Sequence, residues 1–433
     1  MLRTTIVFLL FTFTLGSTVS AQLYFPPKDS DNWEKTNPET LNWCSDSINA
    51  LYDFLDQKNS KAFIVLKDGK IVLEKYFDNF GPDSLWYWAS AGKTLRATLV
   101  GIAQREGALS LDDKVSDHID TGWTNCCMDK ENLVQVQHLL TMTSGLDDRV
   151  ADPYCTDDTC LRYLANAGMR WAYHNGPYNL TRDVLENATG ETLNRFTRTR
   201  VLNLCGMDGF WVPSGYNTLF LSTARSMARF GLLMLNGGDW GVQPVLADTN
   251  YFKTMTSRSQ ELNKSYGYLW WLNGQETFML PGSQIKFNGS MIPNAPADMF
   301  AGLGKNDQKV YVVPSQGLVV VRMGNDAGGS LFAKSSFDDQ LWRRLNELEC
   351  ATGKLNDRTH GTIKVYPQPA DQILNIEING DPKISGSIQD MNGREVLHFT
   401  NKEVDVSSLS SGPYILRCKT DKRIFHHRIQ ITN

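Results

Sequence analysis

A serine, a lysine three residues later and an apolar stripe behind them open the stretch SAGKTLRATLVGIAQR, residues 90–105. On a helix that spacing puts Ser90 and Lys93 one turn apart on the same face. Such a pair can do nucleophilic chemistry, because an uncharged lysine amine within reach can take the serine proton as the oxygen attacks a carbonyl. The amine must then lose its charge near neutral pH, which burial and nearby cations bring about. Trp86, Tyr87 and Trp88, just ahead, supply a dry rim. Helix-start N–H groups favour negative charge beside Ser90. The motif alone leaves two readings open: a nucleophile with its base, or a helix cap followed by a surface lysine.

Competing motifs fail on single positions. A phosphate loop needs a glycine five residues before Gly92-Lys93-Thr94, and Tyr87 stands there. Gly302-x-Gly304 lacks the third glycine and the strand–helix setting of a dinucleotide site. A nucleophile elbow needs glycine where Trp88 stands. A second S-x-x-K, Ser283 to Lys286, lies between Pro281-Gly282 and Asn288-Gly289 and reads as a loop.

The elements that must position Ser90 follow from the hydrophobic pattern. LNWCSDSINALYDFL (41–55) has helical spacing, and AFIVLKDG with KIVLEKYF reads as a hairpin turning at Lys67-Asp68-Gly69. Residues 110–255 read as helix-rich, with a strong amphipathic helix in LSTARSMARFGLLMLNGG (221–238). Strand signals return at KVYVVP and GLVVVRMG, and FDDQLWRRLNELE (337–349) is helical. The order predicts an α/β architecture: an antiparallel sheet built from both ends of the region, covered by terminal helices, with a helical second lobe. A ligand site is expected in the cleft between the lobes.

Composition changes near residue 353. TGKLNDRTHGT reads as a linker (353–362), and residues 363–433 carry short β-like runs that predict a small all-β sandwich. At the other end, Arg3 followed by an apolar run to Leu15, with Val19 and Ala21 before the cut, predicts a signal peptide over 1–21. The main domain is then 22–352. No later segment reads as a membrane span, so the mature chain is expected to have none.

Hydrophobic residues make up 41% of the chain, charged residues 21%, and the formal net charge is −4. These values predict a globular protein with no nucleic-acid partner. In an exported chain some of the eight cysteines should pair. Cys155 and Cys160, bracketing TDDT, are the easiest local pair, and Cys44 could reach Cys350 if the first and last helices touch. The spacings of structural zinc sites are absent and the histidines are dispersed, so neither metal nor cofactor is expected.

Further stretches carry a family resemblance. Residues 90–119, HLLTMTSGL (138–146), WAYHNGPYNL (171–180), residues 221–246 and SYGYLWWL (265–272) resemble, in order, the motifs of serine β-lactamase-like proteins. That family includes class C β-lactamases, penicillin-binding carboxypeptidases, esterases and 6-aminohexanoate-oligomer hydrolases. The resemblance implies Ser90 as nucleophile, Lys93 as holder of its proton, Tyr173 as partner base and later proton donor, and Asn175 as an orienting residue. His174 is not implied as the base. The family's Lys-Thr-Gly is missing: Met299, Phe300 and Ala301 take its place. Backbone N–H groups near Ala301, Gly302 and Gly304 could still join that of Ser90 in an oxyanion hole. The expected function is hydrolysis of a small-molecule or peptide-like ester or amide through a Ser90 acyl-enzyme. Peptidoglycan D,D-carboxypeptidase, β-lactamase and an inactive surface-binding protein are the alternatives.

IKVYPQPADQILNIEI, DMNGREVLHF and VDVSSLSSGPYILRC resemble the C-terminal sorting domain of the Bacteroidetes type IX secretion pathway, with Asp405, Leu409, Gly412 and Tyr414 as its pattern. This implies the secretion machinery as a partner. It also implies export through the periplasm, to the medium or the cell surface.

Overall fold

The structure is a computed structural model. It describes residues 23–328, 334–350, 364–377, 384–390, 394–420 and 424–432. The expected leader (1–21) and linker (353–362) lie outside the described residues. The chain divides into two compact units at Cys350 and Ala351.

In the first unit, Ser60–Lys67 (β1) and Lys70–Tyr76 (β2) form the expected hairpin. Trp86–Tyr87 (β3), Phe210–Ser214 (β4) and Asn217–Ser222 (β5) make a small sheet in the order β3-β5-β4. Trp271–Leu272 (β6) follows, then Thr277–Phe278 (β7) paired with Phe287–Asn288 (β8). Phe300–Gly304 (β9), Gln308–Val313 (β10) and Leu318–Gly324 (β11) complete the main antiparallel sheet, in the order β2-β1-β11-β10-β9-β6. The sheet is thus assembled from both ends of the region, as expected. Its inner strands are buried along nearly their whole length, which explains their continuous Val-rich runs.

The Ala224–Leu235 helix, capped by the Thr223 hydroxyl accepting from the Ser226 N–H, packs on β1, β10 and β11. The Ser45–Gln57 and Ser336–Asn346 helices meet through stacked Phe54 and Phe337 rings, 5.8 Å between centroids. That contact brings Cys44 to Cys350, and the two form a disulfide. The middle region holds one hairpin, β4–β5, that the helix-rich reading of 110–255 missed. Pro213 interrupts its pattern but lies on an edge strand, where a missing N–H is tolerated.

A buried charge cluster ties β10 to the last helix. The Lys309 ammonium lies 3.1 Å from Asp307 and 2.9 Å from Asp338, and the Tyr311 hydroxyl donates to Asp338 at 2.6 Å.

The second unit has a three-stranded sheet, Lys364–Tyr366 (β12), Ile373–Glu377 (β13) and Glu403–Asp405 (β16), in the order β12-β13-β16. A four-stranded sheet, Ser385–Gln389 (β14), Glu395–Phe399 (β15), Gly412–Lys419 (β17) and Ile424–Ile431 (β18), has the order β15-β14-β17-β18. Leu374, Ile376, Ile388, Leu409, Leu416 and Ile429 share its core. The pattern residues brace turns: Asp405 accepts from the Ser407 N–H and hydroxyl, and the Tyr414 hydroxyl donates to the Ser410 carbonyl.

Removing one carboxylate from the buried cluster strands its partners. Asp338→Ala should destabilise the first unit by about 3 kcal/mol, read as a lowered urea midpoint. A change below about 1 kcal/mol would show that the cluster carries little of the packing between β10 and the last helix.

Candidate active site

Ser90 lies in a single 3-10 turn, Ala89–Ala91, which leads into the Gly92–Arg105 helix. Ala89 adopts a left-handed φ of 48°, a conformation that costs a non-glycine residue about 1–2 kcal/mol. The chain reverses there and presents Ser90 to a cleft of about 510 Å³.

Lys93, on the first turn of the helix, is 3% exposed, and its Nζ lies 3.4 Å from Ser90 Oγ. No carboxylate pairs with it among the described residues. Its amine instead lies over the Tyr178 ring, 3.9 Å from the centroid, and 5.4 Å from that of Tyr173. Burial, and then the Arg96 guanidinium one turn on, push its pKa down to about 7. Arg96 is fully buried, with its guanidinium held by the Thr181 and Thr218 hydroxyls and stacked 4.6 Å from the Trp211 ring. Sequence reasoning asked for a nearby cation and did not identify it. The signal was an arginine three residues after Lys93, on the same helix face.

Tyr173 reaches Ser90 from the helical lobe. Burial pushes its phenol up, and the contact with Ser90 pulls the other way. The hydroxyl therefore stays protonated at neutral pH. Its ring stacks on Trp271, 5.8 Å between centroids and 15° between planes. Asn175 begins the Asn175–Asn179 helix two residues on. It is buried, its Oδ1 has no hydrogen-bond partner among the described residues, and it makes no hydrogen bond to Lys93. Burial holds His174 at about 4, so it is neutral. The second S-x-x-K lies in a loop with Ile285 exposed.

Strand β9 passes beside the Ser90 turn. A Cβ on Gly304 would sit 2.4 Å from the Trp88 carbonyl oxygen and 3.1 Å from the Ala91 nitrogen. One on Gly302 would sit 3.2 Å from Thr94 Cγ2 and 3.3 Å from the Ala91 oxygen. Glycine at both positions lets the strand approach the turn. Ala301 is flanked by Tyr311 on β10 and Trp271 on β6, so its backbone is held within the sheet. Pairing with β6 ends at Ala301, and the edge at 302–304 is left open beside Ser90. Among the oxyanion candidates, the open edge falls at Gly302 and Gly304. Met299 and Phe300 are buried apolar residues and bring no polar group to the missing motif's place.

The cleft is also lined by Tyr87, expected as part of the rim, and by Asp152, Tyr154, Tyr216, Asn217 and Lys305, which sequence reasoning did not find. Lys305 directly follows β9, and the signal for it was the lysine of Gly304-Lys305 just past the expected oxyanion strand. A larger cavity of about 760 Å³ lies elsewhere, among Lys28, Asp31, Arg225 and Arg229. There Arg225 is engaged by Glu74, and Arg229 by the Cys205 and Pro27 carbonyls.

A family model described as Beta-lactamase matches residues 53–339, about two-thirds of the sequence. The chain belongs to the beta-lactamase family. The fold of this beta-lactamase relative is similar to that of a candidate 6-aminohexanoate-dimer hydrolase from Bacillus anthracis, with TM-score 0.54 and 18% identity over 75% of this chain and 87% of that one. A penicillin-binding protein homologue from Caulobacter crescentus gives TM-score 0.53 and 17% identity over 70% of this chain and 96% of the other. An octameric penicillin-binding protein homologue from Pyrococcus abyssi gives 0.52 and 14%, over 90% and 96%. A second family model, described as a secretion system C-terminal sorting domain, matches residues 364–432. It marks the chain for type IX export, to the medium or the cell surface. No helix among the described residues is long and apolar enough to cross a membrane.

A side chain at position 304 must push β9 away from Ser90. Gly304→Val should lower fluorophosphonate labelling of Ser90 by at least about tenfold while near-UV circular dichroism stays native, since one oxyanion donor is worth about 3 kcal/mol. Unchanged labelling would separate this strand from the site.

Proposed function

We propose that this protein cleaves an ester or amide through an acyl-enzyme on Ser90. One observation carries the reading: a buried amine held near its neutral form, 3.4 Å from a serine hydroxyl that opens into a cleft. Lys93 Nζ takes the Ser90 proton as Oγ bonds to the substrate carbonyl carbon. The oxygen, now negative, is met by the Ser90 N–H and by an N–H of the open β9 edge. As the carbon–heteroatom bond breaks, the leaving group takes a proton from Tyr173, which recovers one from the Lys93 ammonium. Tyr173 is a phenol at rest, which suits donation better than the base role implied by family resemblance. Water then attacks the acyl carbon, and the same groups return the proton to Ser90. The free Oδ1 of Asn175 suits a substrate N–H.

The missing Lys-Thr-Gly favours a neutral ester or amide over penicillin. A second reading rests on Lys305, a cation lining the same cleft, which would suit a carboxylate-bearing D,D-peptide or β-lactam. A panel of acyl esters, D-Ala-D-Ala peptides and cephalosporins, ranked by kcat/KM, decides between them. Lys305→Gln should weaken only the carboxylate-bearing substrates if the second reading holds.

Ser90→Ala should lower turnover of the best substrate by at least about 10⁴-fold with the fold retained. A burst of acyl product from that variant would overturn the assignment. Since Lys93 works uncharged, kcat/KM for a neutral ester should rise with pH along a limb centred near 7. Arg96→Met removes the neighbouring positive charge, so the limb should move to higher pH, with the rate recovering at pH 9. A limb that does not move would show that burial alone sets the Lys93 pKa, whereas the absence of any limb near 7 in the wild type would remove Lys93 from the proton transfer.

A further inference from the structure

We infer that Tyr216 and Asp157 form a clasp across one end of the Ser90 cleft and limit the length of substrate chain that fits. The inference rests on Ser90 being the nucleophile. Two segments distant in sequence build the clasp. One is the loop around the Cys155–Cys160 disulfide. The other is the β4–β5 hairpin, whose tip places Ser214, Tyr216 and Asn217 on the cleft wall with Ser90. The Tyr216 hydroxyl donates to the Asp157 carboxylate, joining the two segments through a charge-assisted hydrogen bond.

The loop side is braced. The disulfide closes it, and the Cys160 N–H donates to the Asp157 carbonyl at 2.9 Å. Asn179 Nδ2 donates to the Tyr154 carbonyl, and the Gly176 N–H to the Pro153 carbonyl, both at 2.8 Å. These bonds fix the loop to the Asn175–Asn179 helix, which begins two residues after Tyr173. The hairpin is anchored near its base, where Asn194 bonds both main-chain groups of Trp211, and near its tip, where Arg96 donates to the Thr218 hydroxyl. The Tyr216–Asp157 bond therefore joins two fixed walls, and on this inference Tyr216 bars that end. Its hydroxyl is satisfied by Asp157, and the residue lines the cleft while remaining 39% exposed. A substrate chain running from Ser90 toward the hairpin must stop there or break the contact. Short chains fit beneath the clasp and long ones do not.

The test uses p-nitrophenyl esters of increasing acyl length, acetyl to octanoyl, and a matching series of acetate esters of increasing alcohol length. The readout is the ratio of kcat/KM for the longest to the shortest member in each series. Tyr216→Ala should raise that ratio at least tenfold in one series. Tyr216→Phe, Asp157→Ala and the Cys155→Ser/Cys160→Ser double variant should each raise it in the same series. A ratio unchanged in both series, or lowered, overturns the clasp. Failure of the underlying reading looks different: wild type and Ser90→Ala would then hydrolyse the short esters equally. Thermal melting of each variant separates an opened cleft from a lost fold.

Discussion

A lysine amine enclosed without a carboxylate is the constraint on which the site turns. Among the described residues, two buried lysines have opposite designs. Lys309 is flanked by Asp307 and Asp338, and its charge helps fasten β10 to the last helix. Lys93 has aromatic faces and an arginine around it, and burial with that like charge brings its pKa to about 7. The first arrangement stabilises a cation. The second makes the cation costly and leaves an amine free to accept a proton. Arg96 repels Lys93 while the Thr181 and Thr218 hydroxyls and the Trp211 face hold it in place.

The fold places that amine rather than tolerating it. The left-handed Ala89 turns Ser90 outward at the start of a helix whose other positions are almost all buried. Glycines at 302 and 304 let β9 close on the turn, and the early end of β6 leaves that strand edge open. In the proposed mechanism, backbone geometry takes over work that a polar motif would otherwise share. The absence of Lys-Thr-Gly removes side-chain chemistry from the strand without removing its N–H groups.

Local features were legible in the sequence. The Ser90–Lys93 spacing, the β1–β2 hairpin, the Val-rich strands and the alternation of the C-terminal unit all follow from short-range pattern. The two disulfides could be named as candidate pairs because one is local and the other needs only that two terminal helices meet. What stayed hidden was non-local. Arg96 looked like one more helix residue until Tyr178 and Trp211 enclosed it. The β4–β5 hairpin was masked by Pro213 and its short strands. Tyr216, Asp152 and Lys305 come from three different turns, and only the folded chain gathers them around Ser90.

The most direct measurement is the titration of the Lys93 amine itself. Selectively labelled lysine, followed by nitrogen-15 NMR and assigned with a Lys93→Met control, should show one amine losing its proton with a midpoint near pH 7. If every lysine resonance stays protonated to pH 10, the uncharged amine beside Ser90 does not exist and the hydrolase mechanism falls with it.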